Sequence, residues 1–158
     1  MKLSNGGIAR IEDREGARGQ MYRDSAGLPT IGVGHLLTKD EVYSGKLHLP
    51  TGTVDWHVGL SDHEIRELLE MDAARAEATV SDAVAVPLTQ SQFDALVSFV
   101  FNVGIHAFRD STLLRMLNQG DYAAVPEQLR RWVHSAGQVD PILVKRREDE
   151  ITQWEEVP

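Results

Sequence analysis

Two stretches of unlike composition divide the sequence. Residues 18–60 are rich in glycine, proline, threonine and serine and contain short alternating apolar segments, which is typical of strands and turns. Residues 61–154 instead have the pattern of successive amphipathic helices separated by glycine and proline. No repeat or low-complexity linker separates the two stretches. They therefore predict two lobes of one α+β domain over residues 1–158.

Boundary signals place several elements within these lobes. The first helix is expected over about residues Asn5 to Glu15, with Gly16 ending it. Short apolar segments flank Ser25–Pro29, which predicts a hairpin with a five-residue loop. Residues 46–59 are expected to form a loop or an irregular strand. Apolar residues on most sides of the segment after Thr89 predict a central helix.

Composition excludes several classes of protein. At 158 residues, 42% hydrophobic and 25% charged, the chain is ordinary for a soluble globular domain. Its densest apolar run, Ala95–Val103, is less than half of the roughly 20 residues that span a membrane, so no stable membrane insertion is expected. There is no cysteine, and the histidines lack ligand spacing, so neither a metal nor a cofactor is expected. Residues Met1–Arg14 lack the pattern of a secretory signal peptide, which predicts synthesis in the cytoplasm.

The net charge limits the partners that the chain can attract. Its formal value is −8, which argues against nucleic acid as a partner. The run Lys145–Arg147 is a candidate basic surface patch that would offset this charge locally.

Glu15 is the acidic residue whose place in the sequence best suits acid–base chemistry. It lies at the predicted C-terminal end of the first helix, where the negative end of the helix dipole disfavours a second negative charge. Glu12, one turn earlier, acts in the same direction, whereas Arg14 and Arg18 act against it. Taken alone, Glu15 is more simply explained as part of a solvated acidic face, and Asp24 as a turn residue.

A longer pattern joins these residues. The dipeptide Glu15-Gly16, the tripeptide Tyr22-Arg23-Asp24 and the run GLPTIGVGHLLT over residues 27–38 together resemble the signature of the phage-type lysozymes. In that family a catalytic glutamate and aspartate are nine positions apart and a catalytic threonine follows six later, as Glu15, Asp24 and Thr30 do here. The likeness continues through the second half in several segments, among them residues 93–99, 101–104, 111–114 and 129–132.

This resemblance implies a fold and an activity. The expected fold is lysozyme-like α+β, with a small β-containing N-terminal lobe of about residues 18–60 and a mainly helical C-terminal lobe of about residues 61–154, to which the N-terminal helix belongs. The implied activity is that of a muramidase, which hydrolyses the β-1,4 bond between N-acetylmuramic acid and N-acetylglucosamine in bacterial peptidoglycan. Residues 40–60 and 135–140 depart from the family pattern.

The resemblance also implies roles for individual residues. Glu15 is the expected general acid, while Asp24 and Thr30 together position the attacking water, with inversion at the anomeric carbon. Inverting enzymes hold their two carboxyl groups roughly 6.5–9.5 Å apart. Contacts with the substrate are implied for Leu36, Phe101 and Ser111, although the first two are by default core residues and Ser111 a helix cap.

Two further side chains have expected structural roles. Asp72 falls on the apolar stripe of its helix, and a charge that faces the core needs a partner. The resemblance supplies one, because the family places an ion pair between the equivalents of His35 and Asp72. For Trp56 two roles stay open, namely stacking on a sugar or packing in the core of the small lobe.

Two other functions compete with hydrolysis. A lytic transglycosylase also needs a glutamic acid, but it forms an anhydro sugar without water, so the presence of Asp24 and Thr30 favours hydrolysis. A non-catalytic glycan-binding module on the same fold has no need of the complete trio.

The biological setting has three alternatives. A phage endolysin would act with a holin, a tail lysozyme would be carried by the phage, and a toxin would need a delivery apparatus and an immunity protein. In each setting we expect a monomer that acts on peptidoglycan in the periplasm.

Overall fold

The structure, a computed structural model, describes all residues from Met1 to Pro158. It divides into two compact units, which are described separately below. One, the β-containing unit, comprises Ile8–Asp72, and the other, the helical unit, comprises Met1–Gly7 with Ala73–Pro158. Helices and small antiparallel sheets together confirm the α+β class. No helix is both long enough and apolar enough to span a membrane.

The first helix and sheet open the chain in the predicted order. Helix α1 (Asn5–Glu15) precedes three antiparallel strands in the order β1-β2-β3, which are β1 (Arg18–Arg23), β2 (Pro29–Gly32) and β3 (His35–Leu36). Helix α1 ends as predicted, because the amide of Gly16 donates to the carbonyl of Glu12 and Gly16 has a φ of +72°.

The second part of the β-containing unit is more regular than predicted. Helix α2 (Lys39–Ser44) leads into a hairpin of β4 (Lys46–Leu49) and β5 (Gly52–Asp55), followed by a short 3₁₀ helix at Trp56–Val58. The expectation of a loop or an irregular strand over residues 46–59 was therefore wrong. Leu47 and Leu49 are buried and alternate with exposed polar neighbours, which is the period of a half-buried strand.

Trp56 belongs to the core of this unit. Its side chain is only 6% exposed, and its Nε1 donates to the backbone carbonyl of Glu41 at 2.7 Å. Of its two possible roles, the structure therefore supports packing in the core over stacking on a sugar.

The helical unit is built around one buried helix. Its elements are the part of α3 (Asp62–Ala83) from Ala73 onward, α4 (Gln90–Val103), α5 (Ile105–Arg109), α6 (Thr112–Asn118), α7 (Val125–Arg130), a β6–β7 hairpin (His134–Ser135 and Gln138–Val139) and α8 (Pro141–Trp154). Residues 93–100 of α4 are all buried, which confirms the predicted central helix. Thr89 caps α4 through a reciprocal capping box with Gln92, and α4 packs against α8.

The candidate basic patch is not at the surface. Arg146 is 6% exposed and Arg147 is fully buried, so only Lys145 of this run reaches solvent. The Arg147 guanidinium donates to the buried Glu150 carboxylate at 2.7 Å and lies 5.0 Å from the ring centroid of Phe99. Glu150 also accepts a hydrogen bond from the Ser98 hydroxyl at 2.6 Å. These arginines stabilise the α4–α8 packing and offset no surface charge.

Candidate active site

Glu15 is the last residue of α1, and its side chain is half-buried against the backbone of Gly34. A Cβ atom at Gly34 would lie 3.0 Å from the Glu15 Oε2 and 3.4 Å from its Cδ, closer than ordinary packing allows. Gly34 also has a φ of +68°, which a side chain rarely tolerates. The glycine therefore serves two purposes, turning the chain between β2 and β3 and leaving room for the carboxyl group.

The charge expected to act on Glu15 from its own helix is partly neutralised. The Glu12 carboxylate forms an ion pair with Arg66, whose Nη1 lies 3.0 Å from the Glu12 Oε1. The repulsion that Glu12 was expected to exert on a negative charge at Glu15 is therefore weaker than the sequence indicated, because the Arg66 guanidinium lies beside Glu12.

Asp24 is held by the backbone of its own loop. Its Oδ1 accepts hydrogen bonds from the amides of Ala26, at 2.9 Å, and Leu28, at 2.8 Å. No hydrogen bond within the protein engages the other oxygen, Oδ2. One oxygen thus fixes the carboxylate while the other stays available for chemistry.

The hairpin loop has the predicted length but begins one residue earlier than predicted. It comprises residues 24–28, because Pro29 pairs with Arg23 and opens β2. A proline suits the first position of a strand, where no amide hydrogen is needed. Asp24 leaves the strand because its side chain caps the turn, as aspartate commonly does.

The register of the sheet aligns three side chains. Thr30 lies opposite Tyr22 on one neighbouring strand and opposite Leu36 on the other, so all three share one face. The Thr30 side chain is 3% exposed, and its Oγ1 donates to the Leu28 carbonyl at 3.0 Å. Because that bond uses the only hydroxyl hydrogen, the oxygen can only accept a further hydrogen bond. Leu36 is 49% exposed at the edge of this row.

Tyr22 lies opposite Thr30, and the charges of both candidate catalytic carboxylates act on its phenol. Burial raises the pKa of the Tyr22 phenol, and the negative charges of Glu15 and Asp24 raise it further, while the nearby Arg18 guanidinium opposes them. Sequence reasoning assigned Tyr22 no role, although its place two residues before Asp24 on the same strand was a usable signal.

His35 forms the predicted ion pair with Asp72 and a second one that was not predicted. Its Nδ1 lies 2.7 Å from the Asp72 Oδ2, and its Nε2 lies 2.9 Å from the Glu41 Oε1. Both ring nitrogens thus face carboxylate oxygens, an arrangement that favours the doubly protonated imidazolium form. Burial lowers the pKa of His35, but the hydrogen bonds and charges of Asp72 and Glu41 outweigh it, and the net shift is upward.

Two of the predicted substrate contacts belong to the helical unit. Phe101 is half-buried near the C-terminal end of α4. Ser111 is 7% exposed and caps α6, since its hydroxyl accepts from the Leu114 amide and donates to the Phe108 carbonyl at 2.6 Å. The hydroxyl is thus occupied by the cap. Contact of either residue with a substrate stays a prediction.

These features define a class of enzyme. One carboxyl group stands at a helix end against a glycine turn, while a second is held by amides of the hairpin loop that leads into the strand carrying the Thr30 hydroxyl. Hydrolysis of a glycosidic bond generally requires two carboxyl groups, one to donate a proton and one to accept a proton. A sequence model of the phage lysozyme family matches residues 12–150. The chain therefore belongs to the phage lysozyme family, and with it to the hydrolases of the bacterial cell wall.

Individual relatives agree with this assignment. The endolysin of Salmonella phage P22 is 37% identical over 154 residues, covering 94% of this chain and 95% of the relative. The crystal structure of a point mutant of P22 lysozyme matches with a TM-score of 0.79 at 35% identity over 99% of both chains. The SAR-endolysin of Escherichia phage Mu is 40% identical over 133 residues, covering 84% of this chain and 69% of the relative.

A further structural likeness comes from outside the endolysins. The muramidase domain of SpmX from Asticaccaulis excentricus matches with a TM-score of 0.81 at 31% identity over 99% of both chains. With the P22 structure, this match confirms the predicted lysozyme-like fold.

Proposed function

We propose that this protein is a muramidase that hydrolyses the β-1,4 bond between N-acetylmuramic acid and N-acetylglucosamine with inversion. The observation that carries the proposal is the state of the Asp24 carboxylate. Its Oδ1 is committed to two loop amides, whereas Oδ2 accepts no hydrogen bond within the protein, and the Thr30 hydroxyl lies on the second strand of the same hairpin. A base that must activate water needs an available oxygen and a second acceptor to orient that water.

In the proposed reaction, protons move at two places. Glu15 donates its proton to the glycosidic oxygen as the bond to the anomeric carbon breaks. A water molecule donates one hydrogen bond to the Asp24 Oδ2 and one to the Thr30 Oγ1, which can only accept. The water attacks the anomeric carbon from the opposite side and gives up a proton to Asp24. Exchange with solvent then returns a proton to Glu15 and removes one from Asp24.

A lytic transglycosylase is the second candidate. That reaction uses no water, so it would leave the Asp24 and Thr30 arrangement without a purpose. Mass spectrometry of digested peptidoglycan separates the two, because hydrolysis leaves reducing ends and transglycosylation leaves anhydro-muramyl ends.

Substitution of the general acid tests the proposal against a non-catalytic role. Glu15→Gln should abolish release of reducing ends while the thermal unfolding curve still shows a folded protein. Asp13→Asn is a matched control, since it removes an exposed carboxylate two residues earlier on the same helix and should retain activity. Full lytic activity of Glu15→Gln would exclude the proposed mechanism.

The remaining proposals concern substrate contacts and setting. We infer that Leu36, Phe101 and Ser111 contact the glycan, with the half-exposed Leu36 beside Thr30 as the best placed of the three.

We also infer that the monomeric enzyme reaches the periplasm during phage lysis, a setting favoured by the endolysins among its relatives. Lysis on co-expression with a holin would support this setting. Capture of an immunity protein from the producing cell would instead favour a delivered toxin.

A further inference from the structure

An anionic substrate poses an electrostatic problem for this chain. Peptidoglycan carries carboxylates on its peptides, and the chain has a formal net charge of −8. Two of the acidic side chains in that total, Glu15 and Asp24, lie at the candidate site itself. The basic run that seemed able to compensate is mostly buried in the helical unit, where Arg147 pairs with Glu150. A cation near the site itself must therefore be sought elsewhere.

Arg18 is the cation placed best for this purpose. It is exposed at the start of β1, and its side chain makes no hydrogen bond and no ion pair within the protein, unlike most cations of the β-containing unit. Lys39 is also exposed and unpaired. The other lysine and arginine side chains of this unit are engaged within the protein, namely Arg10, Arg14, Arg23, Lys46 and Arg66.

An aromatic ring holds Arg18 beside the catalytic groups. The Arg18 Cζ lies 4.4 Å from the ring centroid of Tyr22, within the range of a cation–π interaction. Tyr22 in turn lies opposite Thr30 in the sheet and two residues before Asp24. Tyr22 therefore restricts the Arg18 side chain to the neighbourhood of the site. The interaction with the ring uses none of the guanidinium N–H groups as hydrogen-bond donors to oxygen, so the bidentate edge is available to a ligand.

We propose that Arg18 binds a carboxylate of the peptide attached to the glycan strand, and so selects peptide-bearing peptidoglycan over uncharged glycan. A guanidinium matches a carboxylate with two parallel hydrogen bonds, whereas an amide group offers no negative charge. This proposal rests on the proposed function, since it assumes that the glycan lies over Glu15 and Asp24. It predicts an effect on KM and little effect on kcat, because the peptide lies away from the bond that breaks.

The test compares two forms of one substrate. Solubilised peptidoglycan is used either native or after carbodiimide coupling of methylamine, which converts its carboxylates into neutral amides and leaves the glycan unchanged. Release of reducing ends gives kcat and KM for each form. We expect the wild-type KM to be roughly three- to tenfold lower on the native form at low salt, and this difference to shrink as salt is raised.

Three variants test whether Arg18 causes this difference in KM between the two forms of the substrate. Arg18→Gln should have nearly the same KM on both forms, with kcat close to wild type. Arg18→Lys should retain part of the preference, since it keeps the charge and loses the bidentate edge. Lys39→Gln removes another exposed cation of the same unit and should behave as wild type. Circular dichroism should show that all three variants are folded.

Each other outcome overturns the inference in an identifiable way. A wild-type preference that Arg18→Gln retains in full would exclude Arg18 as the carboxylate ligand. A fall in kcat of Arg18→Gln that is equal on both forms would show that Arg18 acts on the catalytic carboxyl groups instead. If the folded wild type released no reducing ends from either form, the proposed function would fail, and this inference with it.

Discussion

At the scale of single residues, the three candidate catalytic side chains are held in different ways. Asp24 is fixed by hydrogen bonds to loop amides, and Thr30 by a hydrogen bond to a carbonyl. Glu15 is placed at a helix end and packs against a glycine. Its position is therefore sensitive to any atom added at Gly34.

Gly34→Ala should reduce activity more than the accompanying loss of stability can explain. The left-handed backbone alone should cost about 1–2 kcal/mol of unfolding free energy. The added methyl group would also displace the Glu15 carboxyl, for which we expect kcat to fall about 10- to 100-fold. Urea unfolding and the rate of reducing-end release measure the two effects.

Gly120→Ala is the matched control for this substitution. Gly120 has a φ of +85°, and a Cβ there would meet nothing within 4 Å. The Gly120→Ala variant should lose about as much stability as Gly34→Ala and retain the wild-type kcat. Equal kcat values for the two variants would contradict the proposed role of Gly34.

At the scale of elements, the sequence predicted best those features that depend on neighbouring residues. Helix ends follow from caps, so the end of α1 at Gly16 and the start of α4 at Thr89 could be placed in advance. The β4–β5 hairpin was missed because its alternation spans only Leu47 and Leu49, which is too short to distinguish from a loop. The Glu41 contact with His35 was missed because Glu41 already had a local role in the capping box with Thr38.

The His35 ion pairs should make stability depend on pH with a definite sign. The pKa of His35 is raised from 6.5, so its contribution is complete below pH 6.5 and is lost as pH rises through the folded-state value. The pKa of Glu41 is lowered from 4.5 because hydrogen bonds from Thr38 and His35 outweigh its burial. Its contribution is complete above pH 4.5 and is lost as pH falls through the folded-state value.

Glu41→Gln should therefore cost most stability between about pH 4.5 and 6.5. Because Glu41 is partly exposed, we expect a loss of only about 1 kcal/mol there, and less at higher and lower pH. Urea unfolding of both proteins from pH 3.5 to 9 measures the difference. A difference that stays constant across this range would show that the ion pair makes no contribution.

At the scale of the whole molecule, the sequence predicted the fold class correctly and proposed the site residues, but it did not predict their surroundings. The class follows from periodicity, which is visible along the chain, whereas the proposed trio follows from the resemblance to the phage-type lysozymes. Burial of Arg146 and Arg147 could not be predicted, because three adjacent cations ordinarily indicate a surface and their partner Glu150 is visible only once α8 is packed. The effect of the Glu15 charge on the pKa of Tyr22 likewise depends on tertiary structure.

The buried cluster should contribute more to stability than a comparable surface pair. Glu150→Gln would leave the Arg147 guanidinium without its charged partner in a buried site, for which we expect a loss of about 3–5 kcal/mol. Glu148→Gln on the same helix breaks only the exposed pair with Arg130 and should cost much less, because solvent screens that pair. Urea unfolding provides both values, and equal losses would contradict the structural role of the cluster.

The stereochemistry of the first product tests the central claim, water-using and inverting hydrolysis, most directly. Proton NMR recorded in the first minutes of digestion, before the anomers equilibrate, distinguishes the possible reactions. The proposed action of Glu15, Asp24 and Thr30 predicts that the α-anomer of N-acetylmuramic acid appears first at the new reducing end. Initial appearance of the β-anomer, or of an anhydro sugar in place of a reducing end, would contradict it.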